Sequence, residues 1–235
     1  MTCLRGIDVA ILAGGMGTRI SSILGDTPKA LAPINDKPYL DHLLDWFAGF
    51  GVDNIVLCLG HLSDSIVAHV AGRQGISCVV EPEPLGTGGA IKFARDQLGS
   101  DDVLIINGDT WLDADLCQFY ASHKKQGCPA SILCLSVDDV SRYGSVQIDD
   151  EKITMFFEKD PSKTGPGLIS AGAYLFSQSA LDQLMLTEGG SIEKDFLQTR
   201  PPGSIHGFVA RSANFIDIGT PESLSQASAV MPGRS

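Results

Sequence analysis

Short apolar runs separated by helix-patterned sequence limit what this chain can fold into more than any other feature. Residues 7–13, 54–60, 76–81 and 102–107 are rich in Val, Ile and Leu and read as buried strands. Between the first two, Leu40, Leu43, Leu44 and Phe47 recur at helical spacing, and Pro38 suits a first helical position. Shorter helices are expected over about 62–70 and about 116–125, the latter capped by Asp113 and Asp115. Strands alternating with helices predict an α/β fold whose sheet is largely parallel and covered on both faces. Ligands of such sheets bind beyond the carboxyl ends of the strands.

The first strand runs into Leu12-Ala13-Gly14-Gly15-Met16-Gly17-Thr18-Arg19. Glycines in such a turn admit positive φ and let backbone N–H groups approach an anion. Arg19 adds a planar fork of donors suited to phosphate oxygens. No Lys-Ser or Lys-Thr follows, so this is not a Walker A loop. Ile20 stands where a dinucleotide fingerprint needs its third glycine, which excludes a dehydrogenase-type domain. Pro28-Lys29 comes shortly after, and the stiff proline can aim the ammonium of Lys29 back at the loop. The third strand leads into Glu81-Pro82-Glu83-Pro84-Leu85-Gly86-Thr87-Gly88-Gly89-Ala90. Its small residues either let a flat ring lie against the backbone or simply turn into a helix capped by Thr87. The fourth ends in Asn107-Gly108-Asp109, which suits either a turn or a single carboxylate on Mg²⁺.

After Pro129 the pattern changes. Residues 130–137 form another apolar run, 144–149 and 152–159 alternate around an Asp-Asp-Glu turn, and 168–176 return to the core. These add antiparallel and edge strands to the parallel centre. Residues 191–196 open a structural helix with Ser191 at its N-cap. Asp217 sits in an apolar setting, where a lone carboxylate is costly unless paired or bound to metal.

A net charge of −11 argues against nucleic acid as a partner. No run approaches a membrane span, and no apolar leader precedes the first strand, so a cytoplasmic location is expected. The six cysteines lack Cys-x-x-Cys spacing and read as reduced thiols. The five histidines show no metal-ligand spacing.

The loop 12–19 with Pro28-Lys29-Ala30-Leu31, the Pro-Leu-Gly-Thr-Gly-Gly-Ala stretch, Asn107-Gly108-Asp109, Phe157-Glu158-Lys159 and Asp217-Ile218-Gly219-Thr220-Pro221-Glu222 together resemble the sugar-1-phosphate nucleotidyltransferases. Within that family the likeness is to short bacterial guanylyltransferases acting on D-glycero-α-D-manno-heptose 1-phosphate. The resemblance implies a three-layer α/β/α, Rossmann-like (GT-A-like) fold with a mixed, mainly parallel sheet. It implies one domain over 1–235, with a nucleotide half to about 128 and a sugar-phosphate half beyond. The nucleotide, GTP or another NTP, would meet Leu12, Ala13, Gly14, Gly15, Gly17, Thr18, Arg19 and Lys29, and also Glu81, Pro84, Leu85, Gly86, Thr87 and Gly88. Some uridylyltransferases for amino-sugar phosphates carry a similar stretch, so the base stays open at this point. The sugar 1-phosphate would meet Asn107, Gly108, Tyr143, Gly144, Glu158, Lys159, Ser170 and Gly172. Arg19 and Lys29 would be catalytic, and Asp109 and Asp217 would hold Mg²⁺. Mannose 1-phosphate is a second candidate acceptor, and a catalytically silent nucleotide-sugar sensor is the non-enzymatic alternative. The product would serve capsule or other surface polysaccharide, and a homo-oligomer is left open. Asp160 replaces the proline common after the lysine, and Ser170 replaces a common asparagine, leaving room for a larger sugar.

Overall fold

The computed structural model describes residues 2–157, 160, 162, 164–211 and 213–232. In chain order the elements are β1 (Asp8–Leu12), α1 (Ser21–Leu24), β2 (Pro33–Ile34), β3 (Lys37–Pro38), α2 (Tyr39–Gly49), β4 (Asn54–Leu59), α3 (Ser63–Val70), β5 (Ile76–Val80), α4 (Gly86–Phe93), β6 (Asp102–Asn107), β7 (Thr110–Leu112), α5 (Leu116–Gln126), β8 (Ala130–Val137), β9 (Ser145–Asp149), β10 (Lys152–Phe157), β11 (Gly167–Ser177), α6 (Gln178–Met185), β12 (Ile205–Ala210), β13 (Phe215–Asp217) and α7 (Pro221–Val230).

One nine-stranded sheet, ordered β5-β4-β1-β6-β11-β8-β12-β10-β9, runs through the molecule. Its first four strands are parallel. β11 enters antiparallel between β6 and β8, and β12 then lies parallel to β8. The mixed, mainly parallel sheet follows the pattern read from the sequence. Side chains alternate across the pleat, so neighbours on one strand feed different cores. Val9, Ile11, Leu57 and Ile106 pack with α2 and Phe119 of α5 on one face. Ala10, Val56, Cys58 and Ile105 pack with Ile91 of α4 and with α6 on the other. Covering both faces makes three layers. The β9–β10 hairpin turns through Asp150 and Glu151, both at positive φ, which matches the strand twist.

Four local expectations need correction. Pro38 precedes α2 rather than opening it. Asp115 caps α5 by accepting from the Gln118 N–H, but Asp113 instead accepts from the backbone and side-chain amides of Asn214. Residues Ile192–Phe196 form a π-helical turn, not an ordinary helix start, with the Ser191 hydroxyl accepting from the Lys194 N–H. Cys3 and Cys117 are joined in a disulfide across 114 residues, with Cα atoms 5.6 Å apart. Sequence spacing held no sign of that pair, because the fold alone brings the N-terminal segment to the first turn of α5. Closing so long a loop restricts the unfolded chain, by about 2–4 kcal/mol in typical cases. Cys117→Ser is therefore expected to melt several degrees lower in non-reducing buffer. Equal melting of variant and wild type there would refute a stabilising bridge. The free thiols Cys58 and Cys134 are buried, and burial pushes both up to about 12, so they stay protonated.

A buried polar cluster ties β6 to α5. The His123 ring meets Asp102 at 3.2 Å and Ser131 at 2.7 Å, and Lys124 donates to Asp102 at 2.7 Å. Ser131 is fully buried, so this is a core network and not an activated nucleophile. Burial holds His123 below its usual range despite Asp102. The native state then binds fewer protons than the unfolded chain, and stability falls as pH drops below about 6.5. His123→Gln should show a smaller loss of melting temperature between neutral and mildly acidic pH than wild type. An unchanged loss would assign the effect elsewhere.

Candidate active site

The carboxyl ends of β1, β4 and β6 open into a cleft of about 310 Å³. Parallel pairing aligns these ends, so the loops that follow them share one rim. The loop after β1 is pinned at its base: Ala13 N–H donates to Cys58 O at 2.9 Å, and Gly108 N–H donates to Leu12 O at 2.8 Å. Gly14 sits in a tight approach, since a Cβ there would lie 3.0 Å from Glu81 Oε1 and 3.2 Å from Gly60 N. Gly17 is required by its conformation, at φ +58°. Leu12, Ala13, Gly14, Gly15 and Gly17 line the cleft with Lys29, Glu81, Pro84, Gly86 and Thr87. Asn107, Gly108 and Asp109 complete the lining. Thr18 and Arg19 are exposed and lie outside this lining.

The loop after β5 is held from two sides. Glu81 accepts the Leu85 N–H at 3.3 Å. Gly88 and Gly89 donate N–H bonds to Gly190 O at 2.6 and 3.2 Å, so Gly88 is buried against that strand of chain and does not line the cleft; nor does Leu85. The Thr87 hydroxyl accepts the Ile192 N–H at 2.9 Å, instead of capping α4. Lys92 donates to Thr187 O and Gly189 O. The segment before the π-helical turn thus braces the start of α4.

Asp109 and Asp217 converge. β13 pairs with β7, placing Asp217 opposite Thr110, and Ile218 N–H donates to Asp109 O at 2.9 Å. Lys29 Nζ lies 2.6 Å from Asp109 Oδ2, and Asp217 Oδ1 accepts the Gly219 N–H at 2.6 Å. Burial, and then the Asp109 charge, hold the Asp217 carboxyl above its usual range, partly offset by Lys29 and Arg142. Two crowded carboxylates and one ammonium, which is paired with Asp109, leave a net negative charge that favours a further cation. That donor set fits Mg²⁺, which takes one or two carboxylates and fills its shell with water and phosphate oxygens. Among the described residues no group of three or more His, Cys, Asp or Glu side chains is assembled for a metal.

A second cleft of about 210 Å³ lies on the β9–β11 side and is lined by Gly144, Ser145, Val146, Phe156, Phe157, Ser170, Glu193 and Gln198. Tyr143 packs edge-on against Phe215, with ring centroids 5.4 Å apart. Gly172, at φ +69°, abuts the Asn107 amide. Glu158 and Lys159 lie outside the described residues. Sequence reasoning passed over three groups here. His61 lines the first cleft just beyond β4, and its position after a parallel strand was the available signal. Arg142 acts on Asp217, and it directly precedes Tyr143-Gly144. Glu193, read as part of a structural helix, lines the second cleft.

Similarity to known proteins extends over nearly the whole chain. Residues 9–232 match the family model described as nucleotidyl transferase. The D-glycero-alpha-D-manno-heptose 1-phosphate guanylyltransferase of Aneurinibacillus thermoaerophilus is 33% identical over 225 residues, covering 94% of this chain and 96% of that protein. Its counterpart in Campylobacter jejuni is 34% identical over 218 residues, 90% and 94% of the two chains. The crystal structure of HddC from Yersinia pseudotuberculosis superposes with a TM-score of 0.83 at 36% identity, over 95% of this chain and 98% of that one. The same protein complexed with GMP-PN gives 0.82. Among the described residues, no helix is long and apolar enough to cross a membrane.

Proposed function

The chain belongs to the nucleotidyl transferase family, and from that premise we propose that it joins D-glycero-α-D-manno-heptose 1-phosphate to the guanylyl group of GTP, releasing pyrophosphate. An oxygen of the sugar phosphate attacks the α-phosphorus of GTP. A new P–O bond forms there as the bond to the β-phosphate oxygen breaks. Phosphate oxygens are nucleophilic at neutral pH, so the protein's task is to position two anions and offset their repulsion.

The first cleft supplies the nucleotide half of that task. Amides of the Gly14–Gly17 loop, together with Arg19, bind the β- and γ-phosphates in this reading. Lys29, which lines the same cleft, is assigned to the α-phosphate. Glu81, held by Leu85, is an acceptor for the guanine N1–H and amino group. Asp109 and Asp217 would hold Mg²⁺, which when bound supplies charge neutralisation and polarisation at the phosphates. Gly144 and Ser170 belong to the acceptor side, and Lys159 is proposed to receive the sugar phosphate.

The observation that carries this reading is the meeting of Asp109, Asp217 and Lys29 at the edge of a glycine-walled cleft. Pyrophosphate release, measured with each of GTP, UTP, ATP and CTP against heptose 1-phosphate and mannose 1-phosphate, tests it. GTP with the heptose phosphate should give the highest kcat/KM. A preference for UTP would overturn the base, and a preference for mannose 1-phosphate would overturn the sugar.

A further inference from the structure

The turn Ile192–Phe196 belongs to none of the phosphate or metal motifs, yet it sets a carboxylate in the second cleft. π-Helical turns are rare and are met mostly at functional sites. This one is closed on itself. Ser191 N–H donates to Asp195 Oδ2 at 2.8 Å, and Asp195 N–H donates to Ser191 O at 3.0 Å. Ile192 and Phe196 are buried in the core on either side. Glu193, between these anchors, is half-buried and lines the cleft with Gly144 and Ser170.

A hydrogen-bonded chain fixes its direction. The Tyr174 hydroxyl donates to Glu193 Oε1 at 2.7 Å. Ser170 Oγ donates to that hydroxyl at 3.4 Å and accepts the Gly172 N–H at 3.4 Å. A register shift in β11 between Ser170 and Tyr174 brings the two side chains together. Burial first, and then Glu193, hold the Tyr174 phenol well above its usual range. It therefore stays protonated and keeps donating to Oε1. Oε2 faces Gly144, where a Cβ would lie 3.9 Å away.

An ionised carboxylate only accepts hydrogen bonds, and sugar hydroxyls are ready donors. We propose that Glu193, aimed by Tyr174 and Ser170, reads hydroxyl groups of the acceptor sugar and so sets which sugar 1-phosphate is used. The proposal rests on the guanylyl-transfer reading above and adds to it a specificity-determining residue, with Tyr174 in a positioning role.

Steady-state kinetics of Glu193→Gln and Tyr174→Phe test it, with GTP and with heptose 1-phosphate or mannose 1-phosphate as acceptor. A hydrogen bond to a charged group corresponds to about 10- to 100-fold in affinity. Glu193→Gln should raise the acceptor KM by about that factor, leave the GTP KM unchanged, and narrow the ratio of kcat/KM between the two acceptors. Tyr174→Phe should move the same quantities in the same direction, by less. An acceptor KM and acceptor ratio unchanged in Glu193→Gln would overturn the proposal. Parallel losses in both KM values, with a lowered melting temperature, would mark a structural role and overturn it too. A wild-type protein releasing no pyrophosphate from GTP with either acceptor would overturn the guanylyl-transfer reading, and this proposal with it.

Discussion

Asp217→Asn is expected to lower turnover by about 10²–10³-fold while leaving the cation-free protein as stable as wild type or more so. Asp217 is half-buried and shares its site with Asp109. Among the described residues its carboxylate accepts the Gly219 N–H, which an asparagine oxygen can also accept, and the favourable fields of Lys29 and Arg142 are outweighed by burial and the Asp109 charge. Removing that charge relieves repulsion between two crowded carboxylates while Lys29 remains on Asp109. The same change removes one of the two proposed Mg²⁺ ligands. Wild type should melt higher when Mg²⁺ is added, because a ligand bound only by the native state stabilises it. Asp217→Asn should lose most of that increment. Near-normal turnover in this variant, measured by pyrophosphate release, would remove Asp217 from the chemistry.

Lys29→Met should reduce turnover to a similar degree, about 10²–10³-fold, but with the opposite sign in stability. The Lys29 side chain is only 16% exposed, and its ammonium lies 2.6 Å from Asp109. Methionine keeps most of the apolar stem and deletes the charge. Asp109 then loses its ion-pair partner, and the Lys29 charge no longer offsets the repulsion felt by Asp217. Breaking a fully buried pair costs about 3–5 kcal/mol. Asp109 is 39% exposed, so solvent screening reduces the expected loss to about 1–2 kcal/mol. Added Mg²⁺ should restore much of the lost stability in Lys29→Met, where both carboxylates remain, without restoring turnover. Thermal melting of the two variants with and without Mg²⁺ therefore separates a cation site from a simple ion pair. A Lys29→Met protein as stable as wild type without the metal would show that the lysine does not hold the carboxylates together.

Much of the first half was legible because its signals are local. A buried parallel strand announces itself as a run such as residues 102–107, and the observed β6 spans the same residues. The glycine loop could be placed at the end of β1 because strand and turn are contiguous in the chain. What contiguity cannot supply is distance between remote segments. Cys3 and Cys117 carry no mutual signal in their spacing, yet the fold joins them. Thr87 has the chemistry of a helix cap, but its hydroxyl is taken by Ile192, which arrives from far along the chain.

The sequence alone determined the strand–helix alternation, the layered sheet and the glycine turn at the end of β1, because backbone preference and hydrophobic period act over a few residues. Only the tertiary structure decided that Asp217 stands beside Asp109. That meeting depends on the short β7–β13 pairing, three residues on each strand, whose register no local pattern encodes. It also decided that Glu193 faces a cleft, since a side chain's direction from a π-helical turn is set by the core contacts of its neighbours, here Ile192 and Phe196.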